Sequence, residues 1–211
     1  MNTTPGKHDD PGLRFFGKVT AAVTHDIKNS LATINENAGL LTDLAAMAAR
    51  GKPLDPERVN ALALRIMDQV KRADGLLKSM NQFAHSVDDA VRKVDLNETL
   101  RLLADLSVRQ AAMSGATLMV QPSATPVEVE TSPFALLNAL FACLEVAMTA
   151  AGRGSSIELR PEKTAAGTCV HFGPLPADAI SDPEPGLADA IGARLIKNTA
   201  AKMLTLMFAD R

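Results

Sequence analysis

Val23-Thr24-His25-Asp26-Ile27-Lys28-Asn29-Ser30-Leu31 is the stretch that decides how the rest of the chain is organised. Around it, apolar residues recur at Phe16, Val19, Val23, Ile27, Leu31, Ile34, Ala38, Leu41, Ala45 and Ala48. Steps of three and four predict an amphipathic helix, here over residues 11–49. At about 100° per residue, His25 stands roughly 200° from both Val23 and Ile27, away from the apolar stripe. Asn29 and Ala32 return to within about 40° of it and share its face. A lone histidine on a polar helix face ordinarily has no task. This one is followed directly by an acid and, one turn later, by an amide.

Gly51-Lys52-Pro53 ends the first helix, and Asp55-Pro56-Glu57 starts a second with an N-cap acid and a proline in its first turn. Apolar residues at Val59, Leu62, Ile66, Val70, Ala73, Leu77, Met80 and Phe83 carry it to about residue 91. Two long helices joined by a tight turn make an antiparallel hairpin. Such a hairpin cannot bury both stripes alone, whereas two copies packed as a four-helix bundle can. A homodimer is therefore expected.

From residue 94 the pattern changes. A helix is expected to residue 114, capped by Asp95 or Asn97, followed by strands at 117–121 and 127–130. Ser132-Pro133 opens a helix to about residue 150, closed by Gly152 and Gly154. Strands at 156–160 and 168–172 flank a turn at Ala165-Ala166-Gly167. A loop rich in Pro, Asp and Gly covers 173–186, a helix 187–199 and a strand 203–208. The expected fold class is α+β: a disordered tail (1–11), a dimerising helical hairpin (12–93) and an α/β sandwich (94–211).

The chain has 211 residues and a formal net charge of −2, from 22 Lys and Arg against 24 Asp and Glu, which argues against a nucleic-acid partner needing a basic footprint. With no Trp or Tyr, the core must be aliphatic. No apolar run reads as long enough to span a bilayer, and no secretory signal is visible, so a cytoplasmic protein without a membrane is expected, its input delivered by another protein. Cys143 and Cys169 lie in apolar segments and read as buried reduced thiols. No His, Cys, Asp or Glu set shows metal-ligand spacing. His8 and His85 have no supporting constellation, and His171, between Val170 and Phe172, reads as structural.

His25-Asp26-x-x-Asn29 resembles the H-box of the dimerisation and phosphotransfer domain of two-component sensor histidine kinases. The resemblance continues through Leu31-Ala32-Thr33-Ile34 and Ala38-Gly39-Leu40-Leu41. It departs at Ser30, where that family usually has proline, which removes a kink and leaves the chemistry alone. Gln69-Val70-Lys71-Arg72-Ala73 to Asn81-Gln82-Phe83-Ala84 is similar to the family's second helix.

The order of elements after residue 94 resembles the family's ATP-binding domain. The resemblance sets Ala142 where an asparagine would meet Mg²⁺, and a methyl group supplies no oxygen to a hard cation. It sets His171 and Leu175 where the adenine-binding box has aspartate and its last glycine. It sets Asp189 near the phosphates in Gly186-Leu187-Ala188-Asp189. Asn138 and Gly186 are then ordinary core and loop. Phosphoryl transfer from ATP needs a metal, a cradle and positioning, and this domain is expected to have none of them.

The resemblance implies a kinase-like dimeric histidine phosphotransferase, passing phosphoryl groups between receiver-domain aspartates and His25 without ATP. His25 is the implied nucleophile, Asp26 orients its ring or accepts its other proton, and Asn29 positions a water or phosphoryl oxygens. No cofactor is expected, since Mg²⁺ comes with the receiver. Partners are response-regulator receiver domains and an upstream hybrid histidine kinase. Their docking surface is expected on Lys28, Ala32, Thr33, Glu36 and Leu40, with Arg65, Asp68, Gln69 and Arg72 of the second helix. The alternatives are a divergent active kinase and a non-catalytic scaffold or inhibitor.

Overall fold

A computed structural model describes residues 10–176 and 178–209. The expected tail, with His8, lies outside the described residues as far as residue 9. Asp10 already belongs to the first helix as its N-cap: its carboxylate accepts from the Gly12 N–H at 2.7 Å, with Pro11 in the first turn. Helix α1 (Pro11–Ala49) runs unbroken through Ser30, and Gly51, at φ 82°, takes the left-handed position after its end. Asp55 caps α2 (Pro56–Ala84) by accepting from the Glu57 and Arg58 N–H groups.

The second helix stops seven residues before the expected end near 91, counting from Ala84. A single 3-10 turn (His85–Val87) follows, and β1 (Arg92–Asp95) leaves the helical path to pair antiparallel with β3 (Glu128–Thr131). Asp95 then caps α3 (Leu96–Leu106) by accepting from the Asn97 N–H at 2.7 Å. The single helix expected to residue 114 is broken at Ser107, whose φ of −105° and ψ of 5° leave the helical range, and α4 (Val108–Ser114) follows. Next come β2 (Thr117–Val120), α5 (Pro133–Ala151), β4 (Ser156–Thr164), β5 (Gly167–Gly173), β6 (Ala193–Asn198) and β7 (Met203–Phe208). The helix expected over 187–199 is a short 3-10 turn (Asp189–Ile191) and then β6, which pairs along its length with β7.

The main sheet runs β2-β4-β5-β7-β6, with β2 parallel to β4 and the other pairs antiparallel. Helices α3 and α5 cover one face, burying Leu100, Leu103, Leu136, Leu140 and Leu144 against Ile157, Leu159, Val170, Phe172, Leu204 and Leu206. Helix α5 is long and apolar enough to cross a membrane, contrary to expectation, but 61 % of its most apolar window is buried in this core.

The hairpin is part of the same core at its open end. Phe15, Val19 and Val23 of α1 and Phe83 of α2 join it, and the Phe83 ring lies 5.2 Å from Phe15, 5.4 Å from Phe16 and 6.0 Å from Phe134. The stripe on α1 therefore divides. Val19 and Val23 are buried within the chain along with Asp26, Ser30, Asn37 and Leu44, whereas Phe16 and Leu31 are exposed. On α2 the exposed set is Leu64, Met67, Val70 and Leu77.

Candidate functional site

His25 lies at the end of α1 nearer the sheet, one face around from the buried row, with its side chain 46 % exposed. Among the described residues, every polar contact of its ring is made by Nδ1. The Asn29 side-chain amide nitrogen lies 3.0 Å from it, Arg109 Nη1 2.7 Å and Asp26 Oδ1 3.5 Å. Asp26 is largely buried, its side chain 11 % exposed, and its Oδ1 is also 3.7 Å from Arg109 Nη1. Asp26 thus anchors the guanidinium that in turn meets the ring.

Arg109 was not visible as a site residue in the sequence. It comes from α4, which begins after the break at Ser107 and lies against α1. Ser107 is fully buried; its N–H donates to the Ala104 carbonyl, its own carbonyl accepts from Ala111, and its hydroxyl has no hydrogen-bond partner among the described residues. A guanidinium can only donate, so Nδ1 must offer a lone pair to Arg109. A neutral ring then carries its proton on Nε2. Beside it a shallow groove of about 370 Å³ runs between α1 and α4, lined by Lys18, Ala21, Ala22, His25, Arg109 and Met113. The two alanines leave space beside the ring, and Lys18 is tied to Glu145 at 2.7 Å.

The other expected surface residues spread along the hairpin. Lys28, Ala32, Glu36 and Leu40 are exposed on α1. Thr33 is half-buried and donates to the Asn29 carbonyl at 3.1 Å. On α2, Arg65, Asp68 and Arg72 are exposed and Gln69 is half-buried. Counted back from the turn, Arg72 lies level with Thr33 and Arg65 with Leu40, so this group sits roughly 12–22 Å along the axis from His25. It is not brought to the imidazole.

The positions compared with an ATP site fare differently. A cavity of about 430 Å³ lies between α5 and the segment after β5, and Ala142, Cys143, Gly186, Leu187 and Asp189 line it together with the acids Asp182 and Glu184. Asp182 is paired with Lys197 at 2.7 Å, and Glu184 with Arg14. Burial pushes the Cys143 thiol up to about 12, so it stays protonated. Leu175 is fully buried. His171 does not line this cavity, a correction to its expected place: Val170 and Phe172 face the core, and alternation turns His171 to the other face of the sheet. There its Nε2 meets Cys169 and Glu162. Burial, then the Arg160 charge, holds the His171 pKa below the usual imidazole value. Burial, then Glu162, raises that of Cys169. Both cysteines are free and buried.

No protein-family model matches the chain, and no curated protein matches it by sequence. Solved structures do match in shape. A bacterial phosphotransferase is similar over 98 % of this chain and 97 % of its own, at 14 % identity and a TM-score of 0.46. The histidine kinase AdeS of Acinetobacter baumannii is similar over 82 % of this chain and 94 % of its own, at 11 % identity and a TM-score of 0.45. A histidine kinase from Burkholderia phymatum is similar over 85 % of this chain and 96 % of its own, at 15 % identity and a TM-score of 0.43. These are similarities of chain path.

Proposed function

We propose that this chain is a histidine phosphotransferase of a two-component phosphorelay, working in the cytoplasm as a homodimer. The observation that carries the reading is the His25 ring: it is half exposed, and all its polar contacts are gathered on Nδ1 by Asn29, Arg109 and Asp26. That arrangement leaves Nε2 for an incoming group.

In the proposed reaction, Nε2 attacks the phosphorus of a receiver-domain aspartyl phosphate. The P–N bond forms as the P–O bond breaks, and the leaving electron pair returns to the receiver's carboxylate. Attack requires the lone pair on Nε2 and hence the proton on Nδ1. At rest Arg109 holds the opposite tautomer, so it must leave Nδ1 first. The anionic phosphoryl group of a docking receiver draws the guanidinium toward its oxygens. Solvent then takes the Nε2 proton and returns one to the freed Nδ1, and the new Nδ1–H faces the Asp26 carboxylate, which balances the positive charge growing on the ring. The receiver brings its own Mg²⁺.

ATP is not the donor in this reading. Ala142 offers no metal ligand, and Asp189 adds a negative charge to the cavity beside α5, where Asp182 and Glu184 already occupy the nearby cations Lys197 and Arg14. The dimer is supported by the exposed apolar set on both helices, Leu31 at 56 % and Leu77 at 55 % among them, which leaves a long unpaired face on one copy. The test is to mix the protein with a ³²P-labelled phospho-receiver. Label should move to the wild-type chain and not to His25→Gln. Equal labelling of both would place the acceptor elsewhere, and labelling of neither would sink the reading.

A further inference from the structure

The outer face of the main sheet, turned away from α5, carries a cluster that the phosphotransfer chemistry does not use. On β5, Cys169 and His171 are two residues apart and share one face. Glu162 of β4 stands directly opposite Cys169 in the antiparallel register, and Arg160 opposite His171. On the other side β7 sets Thr205 opposite His171. Two neighbouring strands thus bring a thiol, an imidazole and a carboxylate together, and the third, β7, adds a hydroxyl. Spacing along the chain shows no sign of this meeting, because it is made across strands.

The convergence is on a single ring nitrogen. Cys169 Sγ and Glu162 Oε2 each lie 3.2 Å from His171 Nε2. A proton relay would use the two ring nitrogens in series, one partner on each. Here both partners crowd one nitrogen, while Nδ1 is engaged separately by the Thr205 hydroxyl at 2.9 Å. When that nitrogen donates to Thr205, Nε2 is left with a lone pair facing the thiol and the carboxylate. In the apo chain the Cys169 thiol proton serves these contacts, Sγ also lying 3.5 Å from the Glu162 carbonyl oxygen; with the thiol ionised, the three ligand atoms suit a cation between them. All three ligand atoms lie within 4.8 Å of one another. Ligands of a tetrahedral Zn²⁺ are about 3.3–3.6 Å apart, from the ordinary Zn–N, Zn–O and Zn–S lengths. The two 3.2 Å separations are a few tenths of an ångström short of that.

The geometry points to a divalent-zinc site formed by Cys169, His171 and Glu162. The donor set of one thiolate, one imidazole and one carboxylate suits Zn²⁺ and excludes Mg²⁺ and Ca²⁺, which take oxygen. Binding replaces the Cys169 S–H bond with S–Zn and releases the proton to solvent. With thiolate and carboxylate both anionic, the bound site is neutral overall. Three protein ligands leave the fourth tetrahedral position to water, on the half-exposed side where Glu162 lies. One neighbour opposes the metal. Arg160 Nη2 lies 3.1 Å from the same Glu162 oxygen and must release it when the ion enters.

The full-length protein, stripped with a chelator, is titrated with Zn²⁺ against a chromophoric competitor and separately with Co²⁺. A single tight Zn²⁺ per chain is expected, with a thiolate-to-Co²⁺ charge-transfer band and the intense visible bands of tetrahedral Co²⁺. Cys169→Ser and His171→Ala should each weaken binding by about 100-fold or more, and Cys169→Ser should abolish the charge-transfer band. His25→Gln and Cys143→Ser should keep both. Arg160→Gln should tighten binding, an effect that loss of a structural ion pair does not produce. The Co²⁺ spectrum of the wild type tests the site even if a variant fails to fold. An octahedral spectrum without the thiolate band, or Zn²⁺ affinity unchanged in Cys169→Ser, would overturn the assignment.

Discussion

Replacing Arg109 with alanine should change which nitrogen of His25 carries the proton. In the intact protein Nη1 donates to Nδ1 at 2.7 Å, so the neutral ring is protonated at Nε2. Without the guanidinium, Asn29, whose amide lies 3.0 Å from Nδ1, can turn its oxygen to the ring beside Asp26 Oδ1 at 3.5 Å, and a proton on Nδ1 is favoured instead. A hydrogen bond to a charged group contributes about 1.5–3 kcal/mol. Arg109 is about one-third exposed, so solvent screening reduces that to roughly 1–2 kcal/mol. The tautomer ratio should therefore move by roughly 5- to 30-fold toward Nδ1–H, at about 1.4 kcal/mol per factor of ten. The assay is ¹⁵N NMR of the imidazole above its titration range, where protonated and unprotonated ring nitrogens are well separated. A wild-type ring already protonated at Nδ1, or a ratio unmoved in Arg109→Ala, would refute the reasoning.

Leu31→Glu should dissociate the dimer, because each copy loses about 1.5–3 kcal/mol of apolar burial and gains a charge, weakening association by about 100-fold or more in sedimentation. If the variant remains as dimeric as its parent, the interface lies elsewhere. Calorimetry with Mg-ATP should give no heat of binding, and micromolar affinity would revive the kinase reading. Ala32→Arg with Glu36→Lys should weaken or redirect receiver docking while the protein sediments as before; transfer at the parental rate would place the docking surface elsewhere on the hairpin.

The hairpin was legible because each of its signals is local. The three-four periodicity and the proline-containing starts at Pro11 and Pro56 all act within a turn or two of helix. What failed depended on distant partners. Leu187, Ala188, Ile191 and Leu195 have helical spacing, yet Gly192 at φ 67° stops the 3-10 turn and the chain pairs with β7 instead. Strand β4, expected over 156–160, meets Pro161 at that point, and proline cannot donate to a sheet ladder. It continues to Thr164 because β2 pairs only with Ser156–Leu159, so from Pro161 onward β4 is an edge and the missing donor costs nothing. That extension carries Glu162 up to Cys169, which is why the three-ligand cluster was hidden. Arg109 was hidden for a similar reason: its meeting with His25 spans 84 positions and depends on the break at Ser107.

These two hidden features bear on why a sheet domain follows the hairpin in a protein proposed not to use ATP. The domain is joined to the hairpin by aromatic packing: Phe83 is fully buried, with Phe15, Phe16 and Phe134 around it. Removing such a ring costs about 3–5 kcal/mol, so the joint is stiff. Through it, α4 is held where Arg109 reaches Nδ1, and Asp26 fixes the guanidinium from the hairpin side. The acceptor's tautomer is therefore set by a residue that the hairpin alone does not contain. A hairpin without the domain would keep His25, Asp26 and Asn29 but lose the charge that holds the ring at rest and that, in the proposed transfer, meets the phosphoryl group. In this reading, control of when His25 accepts a phosphoryl group is the task left to the domain.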